Sequence, residues 1–321
     1  MKTSPNLALV YVRWSDSRGD APLATLTEHL VRKGSHPMAV CVVDNRTGIL
    51  PVAPQIPGLA TIAGQNAERE FSGYEAGVRH IRSSGLSPDL WLLANDRFDA
   101  YGLDQLSLLS DDSFGVAAWL PCALGRVDRW PAPVYLLGFD VSSWARSNLL
   151  VVPDRALQSL GSLVSVDAPT FGFLLPDSLP SRRDMGNPTF VLRDKFGMTW
   201  SALAAEWLTG IGNRLGSHWY QAGPIDSSNW SAFRGKVHSI INEQLLSARL
   251  RQSGTPVVSL ALAAMVGSLP TTGVRRLTRS AVRRWPAWSV TVAGRRGVGR
   301  AVRCCASVES AVRAAVRDAR Q

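Results

Sequence analysis

The chain lacks the usual glycine-rich phosphate loops. Neither G-x-x-x-x-G-K-[S/T] nor a G-x-G-x-x-G after the first apolar run occurs, and Gly297-Val298-Gly299 falls in a basic C-terminal region. P-loop chemistry and a dinucleotide fingerprint are thereby set aside. G-x-S-x-G is absent as well, which removes the commonest serine-hydrolase signal. The five histidines, His29, His36, His80, His218 and His238, make no H-x-x-x-H or H-E-x-x-H pair, so a zinc enzyme is not indicated. Four cysteines, Cys41, Cys122, Cys304 and Cys305, show no metal-ligand spacing, and adjacent Cys304-Cys305 is poorly shaped for a simple disulfide. A reducing compartment fits this usage. No apolar run reaches the roughly 18 to 20 residues of a membrane-spanning helix; the nearest, Val257–Leu269, reads as a buried core element. Met1–Trp14 carries too short an apolar run for a secretory signal, so a cytoplasmic location is expected.

What is present is an ordinary globular composition. With 321 residues, 45% of them hydrophobic and 19% charged, the chain can bury a full core as one large α/β domain or two smaller ones. Its net charge of +10 is uneven: residues 272–321 hold 12 Arg against Glu309 and Asp318, and the remainder is balanced. The high pI therefore belongs to an appendage and not to the fold.

Apolar and β-branched runs alternate with helical stripes. Leu7–Trp14 reads as a first, central strand, and Leu23, Leu26, Leu30 and Val31 form a helical stripe after it. Pro37–Val43 is a second buried strand ending in Asp44-Asn45. From Leu59 to Tyr101 the pattern is a short strand, a helix opening near Glu68, a break at Ser83–Pro88 and an apolar strand delivering Asn95-Asp96-Arg97. Such βαβαβ alternation predicts a right-handed, parallel arrangement, in which ligands bind beyond the carboxyl ends of strands. Asn95-Asp96-Arg97 is thus a candidate site, although Asn-Asp at a strand end is also ordinary turn chemistry. Further on, Ser113–Leu120 and Ala132–Phe139 read as two more strands, with Phe139–Trp144 as the edge of an acceptor side. Polar Ser181–Asp194 is the best candidate for a mobile loop over the site. Trp200, Trp207, Trp219 and Trp230 enrich one segment in rings on which sugars can stack, but Trp200 and Trp207, seven apart, suit a buried helix face.

Three stretches carry a resemblance. Val42-Val43-Asp44-Asn45, then Asn66 with Glu70-Phe71-Ser72-Gly73-Tyr74-Glu75-Ala76-Gly77, then Leu92-Leu93-Ala94-Asn95-Asp96, resemble the nucleotide-sugar half of family-two-type glycosyltransferases, especially those of bacterial rhamnan and other polysaccharide synthesis. Asn242–Gly254 is similar to that family's E-D-x-D-L-x-x-R-L-x-x-x-G helix, with Glu243 at the catalytic carboxylate and Arg249 and Gly254 matching. A plain amphipathic helix, with Ile241, Leu245 and Ala248 on one face, is the alternative.

The resemblance implies an α/β fold with a GT-A-like, Rossmann-like, mostly parallel central sheet flanked by helices, plus a basic C-terminal extension. Residues 1–165 would form the nucleotide-sugar half, 166–271 the acceptor-side half of the same domain, and 272–321 the Arg-rich tail. Asp44, Asn66, Glu70, Asn95, Asp96 and Arg97 would bind the donor, and Arg249 and Trp230 would lie on the acceptor side. Glu243, expected at a helix start, would be the general base of an inverting transfer to a glycan or lipid-linked acceptor in cell-surface polysaccharide synthesis. Where the family presents D-x-D to Mg²⁺ or Mn²⁺, this chain has Asn95-Asp96-Arg97. Asp96 is then the candidate metal ligand, and Arg97 can bind a diphosphate itself. In the tail, arginines beside Trp285 and Trp288 suit an anionic membrane surface and a peripheral location at its inner face. Nucleic acid is disfavoured, because no recognised binding motif accompanies the charge. Two other functions stay open at this point: a non-catalytic relative that binds a nucleotide sugar or glycan, and a basic nucleic-acid-binding protein.

Overall fold

Every residue of Leu7–Arg13 is buried, as a strand covered by helices on both faces requires. The computed structural model to which this strand belongs describes residues 4–14, 21–46, 59–101, 103–178, 192–193, 195–212 and 218–268. The basic tail 272–321, with its expected membrane role, and all but two residues of the candidate loop 181–194 lie outside the described residues.

Leu7–Arg13 is β1, followed by α1 (Ala21–Arg32), β2 (Ala39–Asp44), β3 (Leu59–Ala63), α2 (Glu70–Ser83) and β4 (Leu90–Asn95). Short helices α3 (Phe98–Tyr101) and α4 (Leu103–Leu106) precede α5 (Asp111–Trp119) and β5 (Ala123–Arg129). A ribbon of β6 (Tyr135–Leu136) and β7 (Phe139–Asp140) leads into the long β8 (Ser143–Pro153), then α6 (Asp154–Leu160) and α7 (Ala168–Leu174). The last described elements are α8 (Met198–Thr209), α9 (Trp230–Gln252), β9 (Val257–Ser259) and α10 (Leu260–Gly267).

Seven strands form one sheet in the order β3-β2-β1-β4-β8-β5-β9. β8 runs antiparallel to both its neighbours, and every other pairing is parallel. The protein is thus a mixed α/β fold with a mostly parallel, Rossmann-like central sheet flanked by helices. Alternation along β1 separates two cores: Leu7, Leu9 and Tyr11 pack with α1, α5 and α10, whereas Ala8, Val10 and Val12 pack with α2, α6 and the end of α9. A third cluster, built from the ribbon, α7, α8 and all but the last turn of α9, contains Trp200, Trp219 and Trp230.

Glycine decides how closely α2 approaches β1. A Cβ on Gly77 would stand 2.3 Å from Val10 Cγ1, and one on Gly73 would stand 2.8 Å from Val12 Cγ2. Gly77→Val should therefore force the helix off the sheet and cost about 1–3 kcal/mol, the usual range for overpacking a core. Urea denaturation monitored by circular dichroism checks this; an unchanged midpoint would show that the helix has room to spare.

Several sequence expectations need correction. Ser113–Leu120 is not a strand but most of α5, because Ser110 and Ser113 cap each other reciprocally and Asp111 and Asp112 occupy the first turn. In place of a strand over Ala132–Phe139 there is the two-residue ribbon. Phe139–Trp144 comprises β7 and the start of β8, which lies between β4 and β5. Val257–Leu269 does pack in the core, but as β9 and α10.

Candidate functional site

The chain crosses from β1 to β2 and β3 on one side, then returns to place β4 on the other side of β1. Strand order reverses at β1, and in sheets of this kind ligands bind outside the carboxyl ends of the strands at that point, here β1 and β4. Three strand ends meet there: Arg13-Trp14 after β1, Asp44-Asn45-Arg46 after β2, and Asn95-Asp96-Arg97 after β4. Asp96 Oδ2 accepts the Trp14 N–H at 2.8 Å and ties two of them together. Asn95 Oδ1 accepts the Arg97 N–H at 3.0 Å, so this Asn does build its own turn. Asp44 accepts from Arg13 Nη2 at 2.6 Å and from Arg46 Nε and Nη2 at 2.8 and 2.6 Å. Burial pushes the Asp44 carboxyl up, but the bonds from Arg46 and Arg13 outweigh it and hold the pKa down to about 2.

One face of α9 lines the same edge through residues spaced four apart. Gly235 faces Arg69, and a Cβ there would stand 1.4 Å from Arg69 Nη2. Ser239 Oγ donates to Glu70 Oε1 at 3.1 Å. Glu243 Oε1 accepts the N–H of Ser147 at 2.5 Å and its hydroxyl at 2.9 Å. Ser247 Oγ accepts the N–H of Ala145 at 3.0 Å. The register of β8 on β4 pairs Leu149 with Ala94, so Ser147 stands two residues beyond, level with the Asn95-Asp96 turn.

Ser147 is the meeting point of two carboxylates, since its hydroxyl also lies 2.8 Å from Glu70 Oε1. A serine hydroxyl has one hydrogen, so it can donate to only one of them at a time. Burial pushes the Glu243 pKa up; Lys236 and the Ser147 N–H oppose this, and the charge of Glu70 adds to it. Tyr74 closes the cluster by donating to the Ser147 carbonyl at 2.7 Å. Its own hydroxyl is held well above the usual phenol range, first by burial and then by the charges of Glu70, Glu243 and Asp96.

Arg69 is the residue that sequence reasoning passed over. It precedes α2 with φ 57° and ψ −135°, a conformation that residues other than glycine rarely adopt. Its guanidinium lies 4.8 Å from the centre of the Trp14 ring, and its backbone carbonyl accepts from Asn45 Nδ2 at 3.1 Å. Asn66, three residues earlier, also has positive φ, and its Oδ1 is buried without a hydrogen-bond partner, as is Asn45 Oδ1. Strained backbone at Asn66 and Arg69 thus occurs together with unsatisfied oxygens on Asn66 and Asn45. Arg97 points to Tyr220, with Nη2 3.4 Å from its hydroxyl and the guanidinium 5.3 Å from its ring centre.

Other expected site residues are placed differently. Glu243 is not at a helix start: α9 begins at Trp230, so Glu243 sits mid-helix and draws no benefit from the N-terminal dipole. Trp230 is 4% exposed and stacked on Phe233, with Nε1 bonded to the Asp177 carbonyl; no ring face remains for a sugar. Arg249 pins the loop after α6 through the carbonyls of Leu160, Ser162 and Val164 and the Ser165 hydroxyl, a structural task. Asp96, the expected metal ligand, is 1% exposed with one oxygen on Trp14, and Asp44 is enclosed by guanidinium groups. Among the described residues no group of three or more His, Cys, Asp and Glu side chains is arranged to hold a metal ion. Both strand-end carboxylates are thus engaged by groups of the protein itself.

Fold and edge together define a Rossmann-like α/β protein with a cluster of polar strand ends at its switch point. No protein-family model matches the chain, and no curated protein matches its sequence. Among solved structures, it is similar to a mannosyltransferase from Pyrobaculum calidifontis in complex with GDP-Man and Mn²⁺, at 12% identity and a TM-score of 0.30, covering 98% of this chain and 86% of that one. A likeness that distant carries no argument about function. No described helix is long and apolar enough to cross a membrane.

Proposed function

We propose that this protein transfers a sugar from a nucleoside-diphosphate donor to a hydroxyl of a glycan or lipid-linked acceptor, with inversion, in cell-surface polysaccharide synthesis. The supporting observation is the convergence of Glu70 and Glu243 on Ser147, level with the turn of Asn95, Asp96 and Arg97 at the switch point. In this reading the acceptor oxygen forms a bond to the anomeric carbon while Glu243 takes its proton and the carbon–oxygen bond to the diphosphate breaks. Departing negative charge is met by Arg97. Asp44 and Asn95 act by shaping the turns that face the donor. The arginines and tryptophans of residues 272–321 would hold the enzyme at an anionic membrane surface.

One observation favours a second reading, a non-catalytic nucleotide-sugar binder: Glu243 Oε1 already accepts two bonds from Ser147. A panel of UDP-, GDP- and dTDP-sugars separates the two. A donor that binds the folded state at 100 times its Kd should stabilise it by about 2.7 kcal/mol, visible as a raised melting temperature, and nucleoside diphosphate should be released with an acceptor. Binding without release supports the second reading, and no shift with any donor rejects both.

A further inference from the structure

We propose that Glu70 acts through the Ser147 hydroxyl to keep a proton on Glu243, so that Glu70 is the positioning residue that sets when the base becomes available. This rests on the transferase reading and specifies how its catalytic carboxylate is controlled.

The cluster has one hydrogen too few for two ionised carboxylates. Ser147 Oγ lies 2.8 Å from Glu70 Oε1 and 2.9 Å from Glu243 Oε1. Both are hydrogen-bond lengths between oxygens, yet the hydroxyl owns a single hydrogen. With both carboxylates ionised, one of these contacts sets lone pairs against each other with nothing between them. A carboxyl proton fills that gap. The neighbouring donors are placed elsewhere: the Ser147 N–H on Glu243 Oε1 at 2.5 Å, the Ser239 hydroxyl on Glu70 Oε1 at 3.1 Å, and the Tyr74 hydroxyl on the Ser147 carbonyl at 2.7 Å. None of them lies in either contact to Ser147 Oγ.

The path of β8 makes this bridge. Gly125 pairs with Leu150 and Val127 with Ala145, so Arg146–Leu149 stand opposite Arg126 alone. Such a bulge re-aims side chains, and here Ser147 reaches α2 and α9 together.

The two helices decide which carboxyl carries the proton. Glu70 opens α2, where the helix dipole favours negative charge, and the Arg69 guanidinium is close enough to feel that charge. Glu243 lies in the middle of α9 without such help. Burial pushes its pKa up, Lys236 and the bonds from Ser147 oppose this, and the charge of Glu70 adds to the rise. Tyr74 faces both glutamates and Asp96 and stays neutral. The Glu243 carboxyl therefore donates to Ser147 Oγ, and Ser147 donates to Glu70. As pH rises this proton leaves to water, and the ionised Glu243 can then take the proton of the acceptor hydroxyl. Removing the charge of Glu70 lets that happen at lower pH.

Infrared difference spectra of the full chain across a pH titration, without donor or acceptor, read the proton through the carbonyl stretch of a protonated carboxyl. The parent should show this band with a midpoint above the ordinary carboxylate range, and Glu243→Gln should lose it. Glu70→Gln keeps an oxygen for Ser147 and Ser239 but no charge, and should lower the midpoint by about one pH unit, roughly a tenfold loss of proton affinity. Ser147→Ala leaves the backbone N–H on Glu243 and should also lower it, because the protonated carboxyl loses its acceptor. The pH–turnover profile of Glu70→Gln should move down with its infrared midpoint. An ordinary midpoint in the parent, a band that survives Glu243→Gln, or a midpoint that neither Glu70→Gln nor Ser147→Ala lowers would overturn the proposal and leave the transferase reading standing. The expected band and shifts, without release of nucleoside diphosphate from any sugar donor, would overturn the transferase reading and leave the proton on Glu243.

Discussion

Glu243→Gln is expected to lower turnover by roughly 10² to 10⁴ while donor affinity stays near that of the parent. The amide keeps an oxygen for the Ser147 N–H, so α9 and β8 remain tied, and only the ability to take a proton is lost. The pH profile carries the stronger test. A base must be ionised, and burial raises the Glu243 pKa, so turnover should climb with pH through a midpoint above the ordinary carboxylate range. Stability should move the opposite way. A carboxyl whose folded pKa exceeds its unfolded value binds more protons when folded, so its contribution is present at low pH and declines as pH rises through the raised pKa. The Gln variant, which never ionises, should escape that decline and melt no lower than the parent at neutral pH. Near-parental turnover in Glu243→Gln would remove this residue from the chemistry.

Asp44→Ala should cost about 3–5 kcal/mol of stability, because it removes the buried carboxylate to which Arg13 and Arg46 both donate. Arg13 and Asp44 side chains are 5% and 1% exposed, and Arg13 stands at the end of the central strand with no easy path to water. The sign with pH is the reverse of that for Glu243. With the folded pKa lowered to about 2, the Asp44 contribution is complete above the unfolded value near 3.8 and is lost as pH falls through the folded one. Ligand-free urea melts at neutral pH and near pH 2 check both statements. A variant as stable as the parent at neutral pH would mean that water reaches Arg13.

The parallel half was legible because its strands are buried on both sides and read as unbroken apolar runs, β1, β2 and β4 above all. The second half was harder for a physical reason: its strands carry polar residues. β8 has Arg146, Ser147 and Asn148 in its middle, and a polar trio inside an apolar run imitates a loop. β5 holds Arg126 and Asp128 as ion-pair partners and loses the apolar signal in the same way. Glu243 could be found from its motif, but Ser147 could not, since a lone serine acquires meaning only when two carboxylates converge on it. Arg69 left a faint trace: a basic residue between two glutamates, Glu68 and Glu70, just before an apolar helix is out of keeping with the helix dipole. Trp230 and Arg249 are engaged as a packed indole and a carbonyl-capping guanidinium, roles that in sequence look the same as those of ligands.

The bond from Ser239 to Glu70 joins residues 169 positions apart, and the bond from Ser147 to Glu243 spans 96. Contacts of such sequence separation form late, because the entropy of closing long loops is lost before the contacts stabilise anything. During synthesis β1 to β4 can assemble once their segment has emerged, yet the cluster around Ser147 must wait for α9. The cluster around Ser147 is therefore completed only once α9 has docked, and until then the first four strands carry Glu70 at their edge without its partner from α9. Refolding followed by tryptophan fluorescence should accordingly show most of the sheet formed before ligand competence returns.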